Sequence, residues 1–283
     1  MALLPYILTE PSGPLSPLFV DSPQSGRIYP VDFAYTCPLP LLRQAEDAFM
    51  DEVIADATKA GIATLTAEFP RSMIDVNRAE NEIDPEVVDG TWPEELAPKT
   101  THSLSFGLVR NRLRNGVLLY NGPLSVAEIK RRIETYYRPY HEALKTQIAK
   151  RQQRFGVCYL INAHSMPLYT DKEIPMPDFV LGNREGTSCA SSFIHEAQKI
   201  LQDMGYSVVL NKPYRGREIV QRYGLQGQGA HALQVEVRRG LYMDEAATEK
   251  HQGFELLQSN MTRFFESLKI FIQSEASDRQ AAE

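Results

Sequence analysis

Cysteine is scarce in this chain, and the regular cysteine motifs are missing. Among 283 residues there are three cysteines, Cys37, Cys158 and Cys189, odd in number and widely spaced. They make no CxxC pair and imply no disulfide framework, so a reducing, cytoplasmic setting is expected. No apolar run is long enough to span a bilayer, and the N-terminus lacks a basic segment followed by an apolar one, so no membrane partner is expected. The net charge is −6. The densest basic stretch, Lys130-Arg131-Arg132, is interleaved with Glu128 and Glu134 in a helical pattern. That reads as a solvated helix face and not as a nucleic-acid groove. A G-x-S-x-G elbow is absent, which excludes the usual α/β serine hydrolase. The glycine-rich stretch Gly224 to Gly229 lacks a following Lys-Ser/Thr and dinucleotide spacing, and reads as a mobile loop.

What is present is an alternation of strand and helix patterns. Residues 1–17, rich in Pro, Ser and Gly, read as a loosely held arm, and 18–283 as a single domain without repeat or linker. Leu18 to Val20 is a short strand. A helical pattern from Leu41 to Ala60 stops at Gly61, a residue suited to ending a helix. Ile62 to Phe69 and Met73 to Val76 read as strands, and 81–98 as a long surface loop. Ser125 to Glu128 is a capping box for a long amphipathic helix through Ile148, with a kink expected at Pro139. Strands follow at Val157 to Ala163, Tyr206 to Leu210 and Ala232 to Val237, and helices at Ser192 to Met204 and Gln252 to Ser274. The pattern predicts an α/β fold: a three-layer α/β/α sandwich around a mixed, largely parallel sheet.

Within that pattern, the apolar run from Val157 delivers His164-Ser165 at its C-terminal end, where ligands bind in open α/β sheets. Asn162 and Ser165 are placed to orient its ring. Glu236 lies in mid-strand, a poor place for a carboxylate. It is either a solvent-facing residue of an edge strand or a general base aimed into a cleft. Asp75-Val-Asn-Arg78 crowds polar groups at a strand end. Arg78 is either a bidentate clamp for a carboxylate or the partner of Asp75 in an internal salt bridge. His102, His195 and His251 read as surface residues and His141 as structural, while His231, five residues before Glu236, is either close to the site or a residue that caps a turn.

Together, the strings Asp21-Ser-Pro-Gln-Ser-Gly26, Ile74-Asp-Val-Asn-Arg78, Asn162-Ala-His-Ser-Met166, Pro177-Asp-Phe-Val-Leu-Gly182 and His231-Ala-Leu-Gln-Val-Glu236, followed by Leu241-Tyr-Met-Asp-Glu245, resemble the N-formylglutamate amidohydrolase family, from about residue 18 to about residue 270. That family is related to zinc carboxypeptidases and aspartoacylase-type aminoacylases. The resemblance implies one zinc ion held by His164, an acidic residue at Asp47 and a histidine of the Ser-Pro-His loop. It implies Glu236 as general base, and Asn77 with Arg78 as holders of a substrate carboxylate, with Arg239 or Arg217 for a second carboxylate. The implied reaction is hydrolysis of a small N-acyl amino acid, typified by N-formyl-L-glutamate giving formate and L-glutamate.

One position departs from the family. Gln24 stands where the loop histidine belongs, and an amide is a much poorer zinc ligand than imidazole. Three outcomes are open: Gln24 ligates weakly, His231 takes its place, or the chain is a metal-poor paralogue that binds an acidic metabolite or a protein partner.

Overall fold

In a computed structural model, residues 5–11, 13–98, 106–113, 116–170 and 172–282 are described. His102 lies outside them. Seven strands form one mixed sheet: β1 (Tyr6–Thr9), β2 (Leu18–Ser22), β3 (Ala63–Ala67), β4 (Cys158–Met166), β5 (Phe179–Gly182), β6 (Val208–Leu210) and β7 (Ala230–Arg238), in the order β1-β3-β2-β4-β7-β5-β6. The four strands β3, β2, β4 and β7 are mutually parallel, while β1 and β5 run against their neighbours β3 and β7. Part of the N-terminal arm is therefore an edge strand, Tyr6 to Thr9 pairing with Ala67 to Thr64.

Side-chain alternation along the strands builds a core on each face of the sheet. One face sets Phe19, Leu65, Leu160 and Ala232 against α4 (Arg138–Phe155) and α6 (Glu218–Tyr223). The other sets Val20, Ile161, Ala163 and Val235 against α2 (Met50–Val53), α5 (Ser191–Asp203) and the terminal helix α7 (Phe254–Ala282). This is the three-layer α/β/α sandwich. No helix among the described residues is long and apolar enough to cross a membrane.

Three elements differ from expectation, and each difference shapes the site. The helix expected over 41–60 is broken into α1 (Leu39–Arg43), α2 and a 3-10 turn, Ala55–Ala60. Asp47 sits in the break, where its backbone N–H donates to the carbonyl of Gln24 at 2.9 Å and Phe49 adopts φ 63°. The segment Met73 to Val76 is a buried turn instead of a strand. The Asp75 carboxylate accepts the backbone N–H of Asn77 at 3.0 Å, which closes an Asx turn in competition with strand geometry. The kink at Pro139 is replaced by a π turn, Ile133–Tyr137, between α3 (Val126–Arg132) and α4, with Pro139 in the first turn of α4. In the basic stretch of α3, Arg132 turns inward: it is buried, donating to the Met73 carbonyl and the Tyr120 hydroxyl. The loop over 81–98 is anchored by Val88–Asp89, which pairs with Leu124–Ser125.

Candidate active site

On one face of the sheet the residues change character along the strands. Towards their N-terminal ends that face carries Phe19, Leu160 and Ala232; towards their C-terminal ends it carries Asp21, Asn162, His164, Gln234 and Glu236. The registers set Asp21 beside Asn162, Asn162 beside Gln234, and His164 beside Glu236. Parallel strands thus bring five polar side chains, all buried, to one end of the sheet.

His164 is held from both ring nitrogens. Nδ1 lies 2.9 Å from Asp47 Oδ2, and Nε2 lies 2.8 Å from Asn162 Oδ1 and 3.0 Å from Asn77 Nδ2. Asn162 in turn donates to Asp21 at 2.9 Å, and Asp21 accepts the Tyr140 hydroxyl at 3.0 Å. Burial pushes the Asp21 carboxyl up to about 6. Burial also works against a charged His164 ring, but the bond to Asp47 and the nearby charge of Glu236 outweigh it and raise its pKa. For Asp47, burial is overcome by the His164 bond and by Arg71 and Arg239, which hold the carboxyl below its usual range.

Glu236 is 7% exposed on a central strand, which rules out the edge-strand reading. Its carboxyl accepts Gln234 Nε2 at 2.7 Å. Burial, reinforced by the charge of Asp47 and opposed by His164 and Arg71, pushes it up to about 7. Asp75 forms internal salt bridges with Arg71 (3.0 Å) and Arg110 (3.5 Å) in place of the expected Arg78, whose charge acts on it without a bridge among the described residues. Arg71, Arg78 and Arg110 together hold its carboxyl far below the normal range against the cost of burial. Arg71 and Arg110 were not singled out in the sequence. The one local signal is that Arg71 stands four residues before Asp75. Arg110 lies in a segment without periodicity, and long-range folding alone brings it here.

The other candidates are spread more widely. Asn77 is committed at both ends of its amide, Nδ2 towards His164 and Oδ1 accepting the backbone N–H of Ile219 at 2.9 Å. Arg239 donates to Ser165 Oγ, the Gln44 carbonyl and the Glu46 carbonyl, and lies 3.6 Å from Asp47. It ties the loop that carries Asp47 to β4, and Ser165 bonds it in place of His164. Arg217 is exposed. His141 is structural as expected, bonding the Tyr223 hydroxyl (2.8 Å) and the Val76 carbonyl (2.9 Å); His195 and His251 are exposed. Two surface hollows of about 300 and 220 Å³, lined around Trp92 and Asn111, contain none of the His164–Glu236 cluster.

Zinc draws on imidazole, thiolate and carboxylate donors, three of them in hydrolytic sites. Here the three positions hold His164, Asp47 and Gln24. The Gln24 amide donates from Nε2 to Asp75 Oδ1 at 2.5 Å, and the second Asp47 oxygen faces Arg71 (3.4 Å) and Arg239. Gly26 holds this loop against the exit of β3, where a Cβ would meet the Phe69 carbonyl oxygen at 2.2 Å. His231 cannot complete the set. It stacks on Tyr159 and accepts from the backbone N–H of Ala190, five residues before Glu236 and so roughly 16 Å away along an extended strand. Among the described residues no three His, Cys, Asp or Glu side chains are grouped to hold a metal ion. The residues present do not fit the zinc site that the resemblance implies.

A buried histidine–carboxylate cluster, with Arg71 and Arg239 beside it, stands at the C-terminal end of the parallel strands of an α/β/α sandwich. The chain belongs to the N-formylglutamate amidohydrolase family, whose model matches residues 16–243. It is 31% identical over 194 residues to an N-formylglutamate deformylase of Pseudomonas putida, covering 67% of each chain. It superposes on the crystal structure of an N-formylglutamate amidohydrolase from Ralstonia eutropha JMP134 with a TM-score of 0.92 at 37% identity, covering 96% of this chain and 100% of that one. A gene product of Agrobacterium tumefaciens shares the fold, at 14% identity and a TM-score of 0.72 over 97% of this chain and 96% of that one.

Proposed function

We propose that this chain is an amidohydrolase that cleaves the amide of an N-acyl amino acid bearing carboxylates, with N-formyl-L-glutamate as substrate and formate and L-glutamate as products. The observation that carries this reading is Glu236, a buried carboxyl poised near neutrality beside His164, in a chain similar to N-formylglutamate deformylases. A group that changes protonation near 7 takes a proton from water and returns it to the leaving amine with little penalty at either step. Arg71, whose charge acts on Glu236, places a positive charge near the negative charge that grows on the acyl oxygen. Arg78 supplies a planar fork for a substrate carboxylate. His164, fixed by Asp47 and Asn162, sits beside Glu236 on the neighbouring strand. The donor set of His164, Asp47 and Gln24 does not fit zinc, so these steps run on the chain's own residues.

The Gln24–Asp75 hydrogen bond favours one other reading, an acidic-metabolite binder without turnover on the same fold. Formate release from N-formyl-L-glutamate by the purified protein, with metal content measured on the same sample, separates the two. Turnover that disappears in Glu236→Gln supports the hydrolase. Ligand binding without formate release in the wild type selects the binder.

A further inference from the structure

The cationic side of the site carries more guanidinium donors than its carboxylates can fill. Asp75 is the shared partner. One oxygen accepts Gln24 and the Asn77 backbone N–H, and the other accepts two donors of Arg71 and, at 3.5 Å, Arg110. Arg71 is also matched by Asp47. Arg78 and Arg110 are only 8% and 6% exposed. Even so, Arg78 Nε and Nη1 and Arg110 Nε have no hydrogen-bond partner among the described residues. A buried charged donor left empty is costly, so positions of this kind call for a ligand that fills them. The matching chemistry is a planar anion with two oxygens, a carboxylate taken by the guanidinium fork. Two such guanidiniums beside one saturated aspartate suit two carboxylates on one molecule. Arg239 is a weaker candidate for the second carboxylate, since its donors already serve Ser165 and two backbone carbonyls.

We infer that Arg110 is a specificity-determining residue: with Arg78 it forms a receptor for a dicarboxylate, and Arg110 takes the side-chain carboxylate of an acidic N-acyl amino acid. The presence of an acyl group rests on the hydrolase reading; the demand for two carboxylates does not.

Calorimetry on the Glu236→Gln protein, in which turnover is stopped, tests this with N-formyl-L-glutamate and the neutral isostere N-formyl-L-glutamine. The glutamate compound binds at least about tenfold tighter, a difference of about 1.4 kcal/mol. Adding Arg110→Gln abolishes that preference while shifting the dissociation constant of the glutamine compound by less than about threefold. If both ligands weaken together, or the preference survives, Arg110 is structural and the inference is overturned. Should Arg110→Gln fail to fold, Arg110→Lys is read in the same way: it keeps the charge but loses the fork, and must reduce the preference without weakening the glutamine compound. The two readings fail separately. Charge preference without formate release from the wild type leaves the receptor and removes the hydrolase. Formate release from both compounds at equal efficiency leaves the hydrolase and removes the receptor.

Discussion

His141 and His164 are both buried, and both ring nitrogens of each lie within hydrogen-bond distance of a partner, yet their pKa values move in opposite directions. Burial, with Arg222 nearby, pushes His141 down to about 3, and it packs among Tyr137, Tyr140 and Tyr223. His164 faces Asp47 and Glu236, and its pKa rises despite equal burial. Hydrogen-bond satisfaction therefore does not separate a structural histidine from a site histidine; the charges around the ring do. Carboxylates near His164 raise its pKa, and Glu236 beside it is itself pushed up to about 7, whereas His141 stays neutral and holds α4 to α6 and the Val76 turn.

The largest expected effect falls on the partner that His141 lacks. Glu236→Gln keeps the shape and the Gln234 contact but removes the proton carrier, so turnover falls about 10² to 10⁴-fold while the folded structure, followed by circular dichroism, is retained. Next come the two histidines themselves. His164→Ala loses about a hundredfold or more in kcat. His141→Ala leaves kcat per folded molecule unchanged but costs about 1–3 kcal/mol in urea unfolding, because the Val76 carbonyl is left unpaired in the core. If His141→Ala loses kcat with little change in stability, the contrast between the two rings collapses.

A smaller change sharpens what His164 is for. Gln24→His restores a third imidazole or carboxylate donor next to His164 and Asp47, and removes the donor that Gln24 gives to Asp75. The variant is expected to retain zinc through gel filtration and to gain thermal stability when zinc is added, whereas the wild type does neither. Equal, stoichiometric zinc in both proteins would show that Gln24 suffices as a ligand. The Arg110 series is the finest test, since it alters the choice between two substrates and not the chemistry.

Much of the fold was legible because β4 and β7 mark themselves. Each is an apolar run that turns polar at its C-terminal end, and parallel pairing then sets His164 against Glu236. The broken helix at Asp47 was not legible. Leu41 to Ala60 has helical spacing throughout, and the break comes from a backbone contact with Gln24, a residue distant in sequence. Met73 to Val76 misleads for a local reason: four residues with strand-like composition are overruled by an Asx turn on Asp75. Arg110 was hidden more deeply. Its neighbours Leu108 and Val109 look like ordinary core, and only the folded chain brings its guanidinium to Asp75.

The protonation of Glu236 also couples the site to stability. Its folded pKa of about 7 lies above the ordinary 4.5, so its contribution to stability is fully present below about 4.5 and is lost as pH rises through about 7. Asp47 and Asp75 run the other way: their contribution is present above the ordinary carboxylate range and is lost in acid. Activity needs the ionised base. The most direct measurement is formate release from N-formyl-L-glutamate as a function of pH, for the wild type and Glu236→Gln. Turnover is expected to rise with pH, with a midpoint near 7, and to be lost in the variant. No formate at any pH, or a Glu236→Gln protein as active as the wild type, would contradict that expectation.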